Sequence, residues 1–268
     1  MKKVGIIGCG NMGKVLIDGL VNFVGRKNIF CFDIDEKKVL EVKNKYKVNI
    51  LSSNKDLVLN SDFIILAVKP QQIKEVLEKI KDFIDDKKVV ISIAAGIKIK
   101  FLEKFLKQKQ IVRVMPNLPL KVGLGISAIC KNKFCKKENY EFAKKIFSIK
   151  GEVVEIKERF FDLITAVSGS GPAYIFYISE IIQKVGIKLG LPKKFVPQLV
   201  NLTILGAAKM LNEEKIAAEE LKKAVASKGG TTEQALSVFE KYKIEKIFYK
   251  AIKKAYIRAK QLSELFGS

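Results

Sequence analysis

Gly8-Cys9-Gly10-Asn11-Met12-Gly13 has the G-x-G-x-x-G spacing and separates a short apolar run from an amphipathic stretch. In such a turn Gly8 bends the chain tightly, Gly10 lets the backbone approach a pyrophosphate, and Gly13 packs a helix close to a strand. The phosphates then rest on free amides at a helix N-terminus, where the helix dipole favours negative charge. Asp33 follows 20 residues after Gly13, at the end of the next apolar run. A carboxylate there would accept a hydrogen bond from an adenine ribose hydroxyl, which points to a bound nicotinamide dinucleotide. It would also repel a 2′-phosphate and so favours NADH over NADPH. Lys37 and Lys38 lie close behind, and could receive that phosphate if the strand ends one residue earlier.

Two further turns belong with the first. Ala67-Val68-Lys69-Pro70 ends a buried run and opens a helix, and Ser92-Ile93-Ala94-Ala95-Gly96 ends the next run with small residues. Ligands of open α/β sheets lie beyond the carboxyl ends of the strands, so both turns should border the dinucleotide. Lys69 is a candidate catalytic cation, although a lysine at a strand end is more often solvated. Two glycine-bearing loops occur later, Ser168-Gly169-Ser170-Gly171-Pro172-Ala173-Tyr174 and Ser227-Lys228-Gly229-Gly230-Thr231-Thr232. Consecutive glycines before a helix can aim several amides at one point and hold a small carboxylate. Ordinary helix caps with tight turns account for each loop equally well.

The chain has no histidine, which removes Ser-His-Asp and Cys-His chemistry, imidazole acid–base catalysis and histidine-bearing zinc sites. The difficult step must then come from a cofactor, with carboxylates, lysines, hydroxyls and backbone groups in support. Cys9, Cys31, Cys130 and Cys135 form no CxxC pair, and no metal site is expected. The formal charge of +22 comes from lysines spread along the whole chain, consistent with solvated helix faces rather than a nucleic-acid stripe. Such a field would draw in an anionic cofactor and substrate. No apolar run reaches the roughly 18 residues of a membrane span, and no signal-peptide core follows the N-terminus. A cytoplasmic protein is expected.

The elements that must position these groups are legible as an alternation. Residues 3–8, 28–33, 62–68, 88–93, 110–114, 123–129 and 152–156 are short runs rich in Val and Ile, several continuously apolar, as parallel strands covered on both faces must be. Helical stretches 11–24, 35–46, 70–83, 98–107 and 137–148 lie between most of them. The alternation predicts an α/β fold with a Rossmann-type doubly wound sheet. After about residue 160 the strand signal ends, and 172–189, 194–211, 217–226, 232–241 and 244–266 have helical patterns. The expected organisation is a dinucleotide-binding domain over 1–158 and an all-helical substrate-binding and dimerisation domain over 159–268. The apolar faces of those helices favour a homodimer built through them, the commonest oligomer.

GCGNMG, AVKP, SIAAG, Arg113-Val114-Met115-Pro116-Asn117, SGSGPAY and SKGGTT, in this order and spacing, resemble the Δ1-pyrroline-5-carboxylate reductase family over essentially the whole chain. Lys228 departs from the family's usual proline in the last loop. The resemblance implies reduction of Δ1-pyrroline-5-carboxylate to L-proline by NADPH or NADH, the last step of proline biosynthesis. It implies a dimer through the C-terminal helices, assembly of dimers into decamers, and substrate lying between one subunit's nicotinamide and its partner's helical domain. By motif position, Ile7 to Met12 (Ile7, Gly8, Cys9, Gly10, Asn11, Met12) would hold the pyrophosphate, and Asn54 would lie near the adenosine. Ala67, Val68, Lys69 and Pro70, with Ile93, Ala94 and Ala95, would line the dinucleotide. Ser227, Gly229, Gly230, Thr231 and Thr232 would grip the substrate carboxylate, and the Thr232 hydroxyl would approach the ring nitrogen.

Two alternatives stand beside this reading. Another two-domain reductase of small acids shares the layout, but typically carries a lysine on the first interdomain helix where this chain reads SGSGPAY. A non-catalytic paralogue that senses dinucleotide would not need the glycine loops and Thr232 intact.

Overall fold

The computed structural model describes residues 2–267. Its core is an eight-stranded sheet of β1 (Val4–Ile7), β2 (Ile29–Phe32), β3 (Asn49–Ile50), β4 (Phe63–Leu66), β5 (Val89–Ser92), β6 (Gln110–Met115), β7 (Gly125–Lys131) and β8 (Gly151–Glu155). The spatial order is β3-β2-β1-β4-β5-β6-β7-β8. β1 to β6 run parallel, whereas β7 pairs antiparallel with β6 and β8 runs parallel to β7. The strand order reverses between β1 and β4, so a crevice opens at their carboxyl ends.

Burial explains why the central strands are apolar throughout. Every residue of VGII, FIIL and VVIS is buried, because helices cover both sheet faces. On one face α1 (Asn11–Phe23) and α6 (Lys137–Ser148) contribute Leu16, Ile17, Leu20, Ala143, Ile146 and Phe147, with Val42 and Tyr46 from α2 (Glu36–Tyr46). The other face is covered by α3 (Asn54–Leu59), α4 (Ile73–Ile80) and α5 (Ile99–Leu106). In α4 the buried residues are Ile73, Val76, Leu77 and Ile80, a one-face helical spacing.

All seven expected strands are present, together with β3, α3 and a short helix at Phe161–Ile164 that lay outside the expected pattern. The helical part also matches its pattern. It contains α7 (Phe161–Ile164), α8 (Gly171–Lys188), α9 (Val196–Glu213), α10 (Ala218–Ala224), α11 (Thr231–Lys241) and α12 (Ile244–Gly267). Pro197 sits in the first turn of α9, where its missing amide has no helical partner to lose.

By compactness the chain divides into one unit of Met1–Ser170 with Ala255–Ser268 and another of Gly171–Lys254. Within the first, Arg113 is 2% exposed and donates to Glu158 Oε1 at 2.9 Å, its guanidinium stacked over Phe161 at 4.6 Å. The same carboxylate oxygen accepts from the Ile99 amide at 2.8 Å, so one charge pair joins β6, α5 and the start of the helical stretch. The end of α12 closes over the turn after β5. Ser263, 1% exposed, donates to Asp162 at 2.6 Å, and a Cβ at Gly96 would lie 3.2 Å from the Leu262 and Ser263 backbone.

In the second unit α8, α10 and α11 contain no buried residue, and α9 only Val196 and Val200. Phe176, Tyr177, Leu202 and Leu205 are all more than half exposed. An exposed apolar surface of that extent is unusual for a chain that stays alone.

Candidate active site

A groove of about 330 Å³ opens at the carboxyl ends of β1 and β4, the crevice that the strand order predicts. Of the expected dinucleotide residues, Ile7, Gly8, Gly10, Asp33, Asn54, Ala67, Val68 and Lys69 line it. Gly8 has φ +108°, and a Cβ there would stand 2.6 Å from the Ala67 carbonyl oxygen, so the first turn needs glycine on both counts. A Cβ on Gly13 would drive into the Gly8 carbonyl oxygen. Gly10 faces open space, leaving room for a phosphate against its backbone.

The helix behind this turn is left ready for an anion. Gly10 caps α1 without a side-chain hydrogen bond, and no acid occupies its first turn. By contrast Asp35 caps α2 and Ser53 caps α3, each followed by an acid. The first amides of α1 therefore lack an internal acceptor beside the Gly10 backbone that lines the groove.

Other expected residues serve the site from behind. Cys9 and Cys31 are fully buried, and hydrogen bonding to Cys9, followed by burial, raises the Cys31 thiol above its usual range. Cys9 thus offers backbone to the turn, not a thiol. Burial pushes Cys130 up to about 12 and Cys135 to about 11, which keeps both protonated and unreactive. Met12 and Ile93 pack against the core, Ala94 is buried, and Ala95 is half-buried at the β5 turn. Asn11 is exposed beside the groove, and Pro70 opens the short turn after Lys69. Lys69 is exposed and its amide donates to Gln72 Oε1 at 3.2 Å.

Asp33 has a structural task that spacing alone did not reveal. Its Oδ2 accepts from the Cys9 amide at 2.7 Å and its Oδ1 from the Asp35 amide at 2.9 Å. The carboxylate thereby ties the glycine turn to the end of β2 and retains lone pairs for a ribose hydroxyl. Asp35 accepts from the Lys37 and Lys38 amides and pairs with Lys38 Nζ at 3.0 Å. The Lys38 contact holds the Asp35 carboxyl below its ordinary range, and the same pairing, with the nearby Asp33 charge, raises Lys38. Of the two lysines behind Asp33, Lys38 is therefore already engaged by Asp35. Across the groove, Asn54 is 7% exposed and its Oδ1 is enclosed with no protein partner. A buried acceptor without a donor calls for a ligand hydroxyl or amino group. Ile34, Gln72 and Val76 complete the walls. Their signal was present only as an exposed isoleucine after Asp33 and the apolar stripe of α4.

A larger depression of about 680 Å³ lies along Asp18, Asn22, Lys45, Lys121 and Lys150. It contains no residue of the Gly8–Gly13 turn, and its Asp18 and Lys150 are paired with each other at 2.6 Å. Among the described residues, no three His, Cys, Asp or Glu side chains gather as a metal site.

The first of the two later glycine loops is not a loop. Thr165–Gly169 forms a π-helical turn between α7 and α8, and the Ser170 amide donates back to Thr165 at 2.8 Å. Its amides are spent within the helix, so the anion nest expected at Ser168–Gly171 is corrected to a helical bulge. A Cβ on Gly169 would press only on the flexible Met115 Cε, at 2.7 Å, so the position asks for a small residue without demanding glycine. Asn117 Nδ2 donates to Ser168 O and Oγ at 3.4 and 3.3 Å, and Asn117 Oδ1 accepts from Ile126.

The second loop is a turn leading into α11. Gly229 has φ +73°, the Gly230 amide donates to Ser227 O at 2.9 Å, and the Gly229 amide donates to Glu233 Oε2 at 2.7 Å. Both glycine amides, expected to fix a carboxylate, are thus engaged inside the protein. The donors left are the amides of Thr231 and Thr232 at the first two positions of α11, with the hydroxyls of Ser227, Thr231 and Thr232. Thr232 is half-buried and Thr231 exposed.

Residues 158–262 match the family model described as pyrroline-5-carboxylate reductase dimerisation, and residues 3–96 match that of NADP oxidoreductase coenzyme F420-dependent. Pyrroline-5-carboxylate reductase of Methanosarcina acetivorans is 36% identical over 98% of each chain, and that of Arabidopsis thaliana 33% over 98% of this chain and 96% of its own. Among solved structures, a pyrroline-5-carboxylate reductase from Coxiella burnetii superimposes with TM-score 0.91 at 38% identity, covering 98% of both chains. The Plasmodium falciparum pyrroline carboxylate reductase with NADP bound gives TM-score 0.88 at 33% identity, again over 98% of both. No helix among the described residues is long and apolar enough to cross a membrane.

Proposed function

Since this chain belongs to the pyrroline-5-carboxylate reductase family, we propose that it reduces Δ1-pyrroline-5-carboxylate to L-proline, with the hydride drawn from a dinucleotide held in the Gly8–Asn54 groove. The observation that carries the reading is the uncapped glycine turn of α1, coupled in one chain with a glycine–threonine turn whose free donors suit a carboxylate. The bound nicotinamide supplies a hydride to the imine carbon, and a protonated imine needs no further activation to accept it.

The protein's part is to hold and orient. The Gly10, Asn11 and Met12 amides would receive the pyrophosphate, and Asp33 and Asn54 would receive the adenosine ribose. The Thr231 and Thr232 amides would receive the substrate carboxylate. The Thr232 hydroxyl would accept the hydrogen bond of the protonated ring nitrogen and fix the carbon beside it for transfer. Ser227, Gly229 and Gly230 would shape that turn. Residues 159–268 would form the substrate-binding and dimerisation domain of a homodimer, whose exposed α8 and α9 faces supply the association surface. Decameric assembly of such dimers is the further step that the family resemblance implies, in the cytoplasm.

NADH is the proposed physiological donor. Asp33, Asp35 and the enclosed Asn54 carbonyl border the groove, and Lys38 is paired with Asp35, which supports a donor without a 2′-phosphate. Pyrroline-5-carboxylate should cause loss of nicotinamide absorbance with either donor, with kcat/KM for NADH about 10-fold or more above that for NADPH. A preference for NADPH would overturn the ribose reading alone. No consumption of either donor would overturn the activity.

A further inference from the structure

The turn that is to receive the substrate carboxylate already contains an anion of the protein's own. Glu233 is the third residue of α11, and its Oε2 accepts from the Gly229 amide at 2.7 Å. Gly230 caps the helix without a side-chain hydrogen bond, so Glu233 is the acidic group of this first turn. Thr231 and Thr232, whose amides are the remaining donors, lie immediately before it in the same turn.

We propose that Glu233 is a specificity-determining residue that weakens binding of carboxylate-bearing imines, by keeping a negative charge beside the amides that receive the substrate. The inference rests on the reading of the Ser227–Thr232 turn given above. One helix N-terminus stabilises one anion well. Here Glu233 occupies the Gly229 donor and part of the helix dipole before any ligand arrives. A substrate carboxylate at Thr231 and Thr232 then adds a second like charge within one turn, and the two repel. Binding is loosened but the turn stays ordered, because the Gly229 amide is never left unpaired. The carboxylate of the product, proline, meets the same repulsion, and the product leaves more easily.

A role confined to capping makes different predictions from this one. Glu233→Gln keeps a carbonyl oxygen that can accept from Gly229 and removes the charge. In the full-length enzyme this variant should lower KM for Δ1-pyrroline-5-carboxylate about three- to ten-fold, as expected for one removed like charge at partly screened range. KM for NADH should not move, and inhibition by L-proline should tighten by a similar factor. The effect should be absent with 1-pyrroline, which has the ring but no carboxylate. Glu233→Ala should shift KM in the same direction while also lowering Tm through loss of the cap.

An unchanged or raised KM for Δ1-pyrroline-5-carboxylate in Glu233→Gln, or an equal fall for both imines, would overturn the proposal and leave Glu233 as a cap. Wild-type enzyme inert toward both imines would instead overturn the activity on which the proposal rests.

Discussion

Thr232→Ala should reduce turnover of Δ1-pyrroline-5-carboxylate about 10- to 100-fold, with NADH affinity unchanged. On the proposed reading the hydroxyl at the second residue of α11 would hold the imine nitrogen. A hydrogen bond to a charged group contributes about 1.5–3 kcal/mol, and each 1.36 kcal/mol is a factor of ten in rate. The backbone amide that receives the carboxylate survives the substitution, so KM should move less than kcat. Thr232→Ser restores the hydroxyl and should restore most of the rate. Stopped-flow reduction with a parallel NADH titration checks both parts, and equal turnover in Thr232→Ala would remove Thr232 from the chemistry.

Gly13→Ala should abolish measurable NADH binding, with a loss of at least about 30-fold in affinity, and lower stability by about 2–3 kcal/mol. The added methyl group would be forced against the Gly8 carbonyl oxygen, which is backbone and has no rotamer to yield. Relief requires the turn to move away from β4, where Gly8 is wedged against the Ala67 carbonyl. That movement would also strain the Cys9 amide bond to Asp33, so phosphate and ribose contacts fail together. Gly10→Ala makes the informative comparison. Its Cβ meets nothing in the protein, so stability should be kept while the pyrophosphate is crowded out. Calorimetric titration and thermal melts separate the two variants, and full NADH affinity in Gly13→Ala would contradict the account of the turn.

The sheet was legible in the sequence because its central strands are buried on both faces, and a strand so placed has no choice but to be apolar. Val4–Ile7, Phe63–Leu66 and Val89–Ser92 show it plainly. β3 was not legible, since two residues, Asn49 and Ile50, carry no periodicity. α3 did leave a trace. Ser53 accepts from the Asp56 amide and Asp56 accepts from Ser53, a capping arrangement visible as Ser-x-x-Asp before Leu57 and Val58.

The glycine turn at residues 8–13 was legible because its strand, helix and trailing acid occur together. The use of Asp33 was only half legible, since spacing identifies a carboxylate at the strand end and not the amides that claim it. The SGSG segment misled for a physical reason. Gly169 closes a π-helical turn instead of opening a loop, and sequence does not distinguish the two settings. At the later turn the double glycine suggested free amides, yet both are consumed locally. An acid at the third helical position was the available signal for the second of these bonds.

The proposed function stands on hydride transfer from bound NADH to C5 of the imine. Incubation with Δ1-pyrroline-5-carboxylate and NADH carrying deuterium on one face of nicotinamide C4 tests it most directly. One of the two labelled forms should transfer its deuterium to C5 of proline, the other should retain it, and solvent should contribute none. Proline without label from either form, or a donor oxidised with no proline formed, would contradict it.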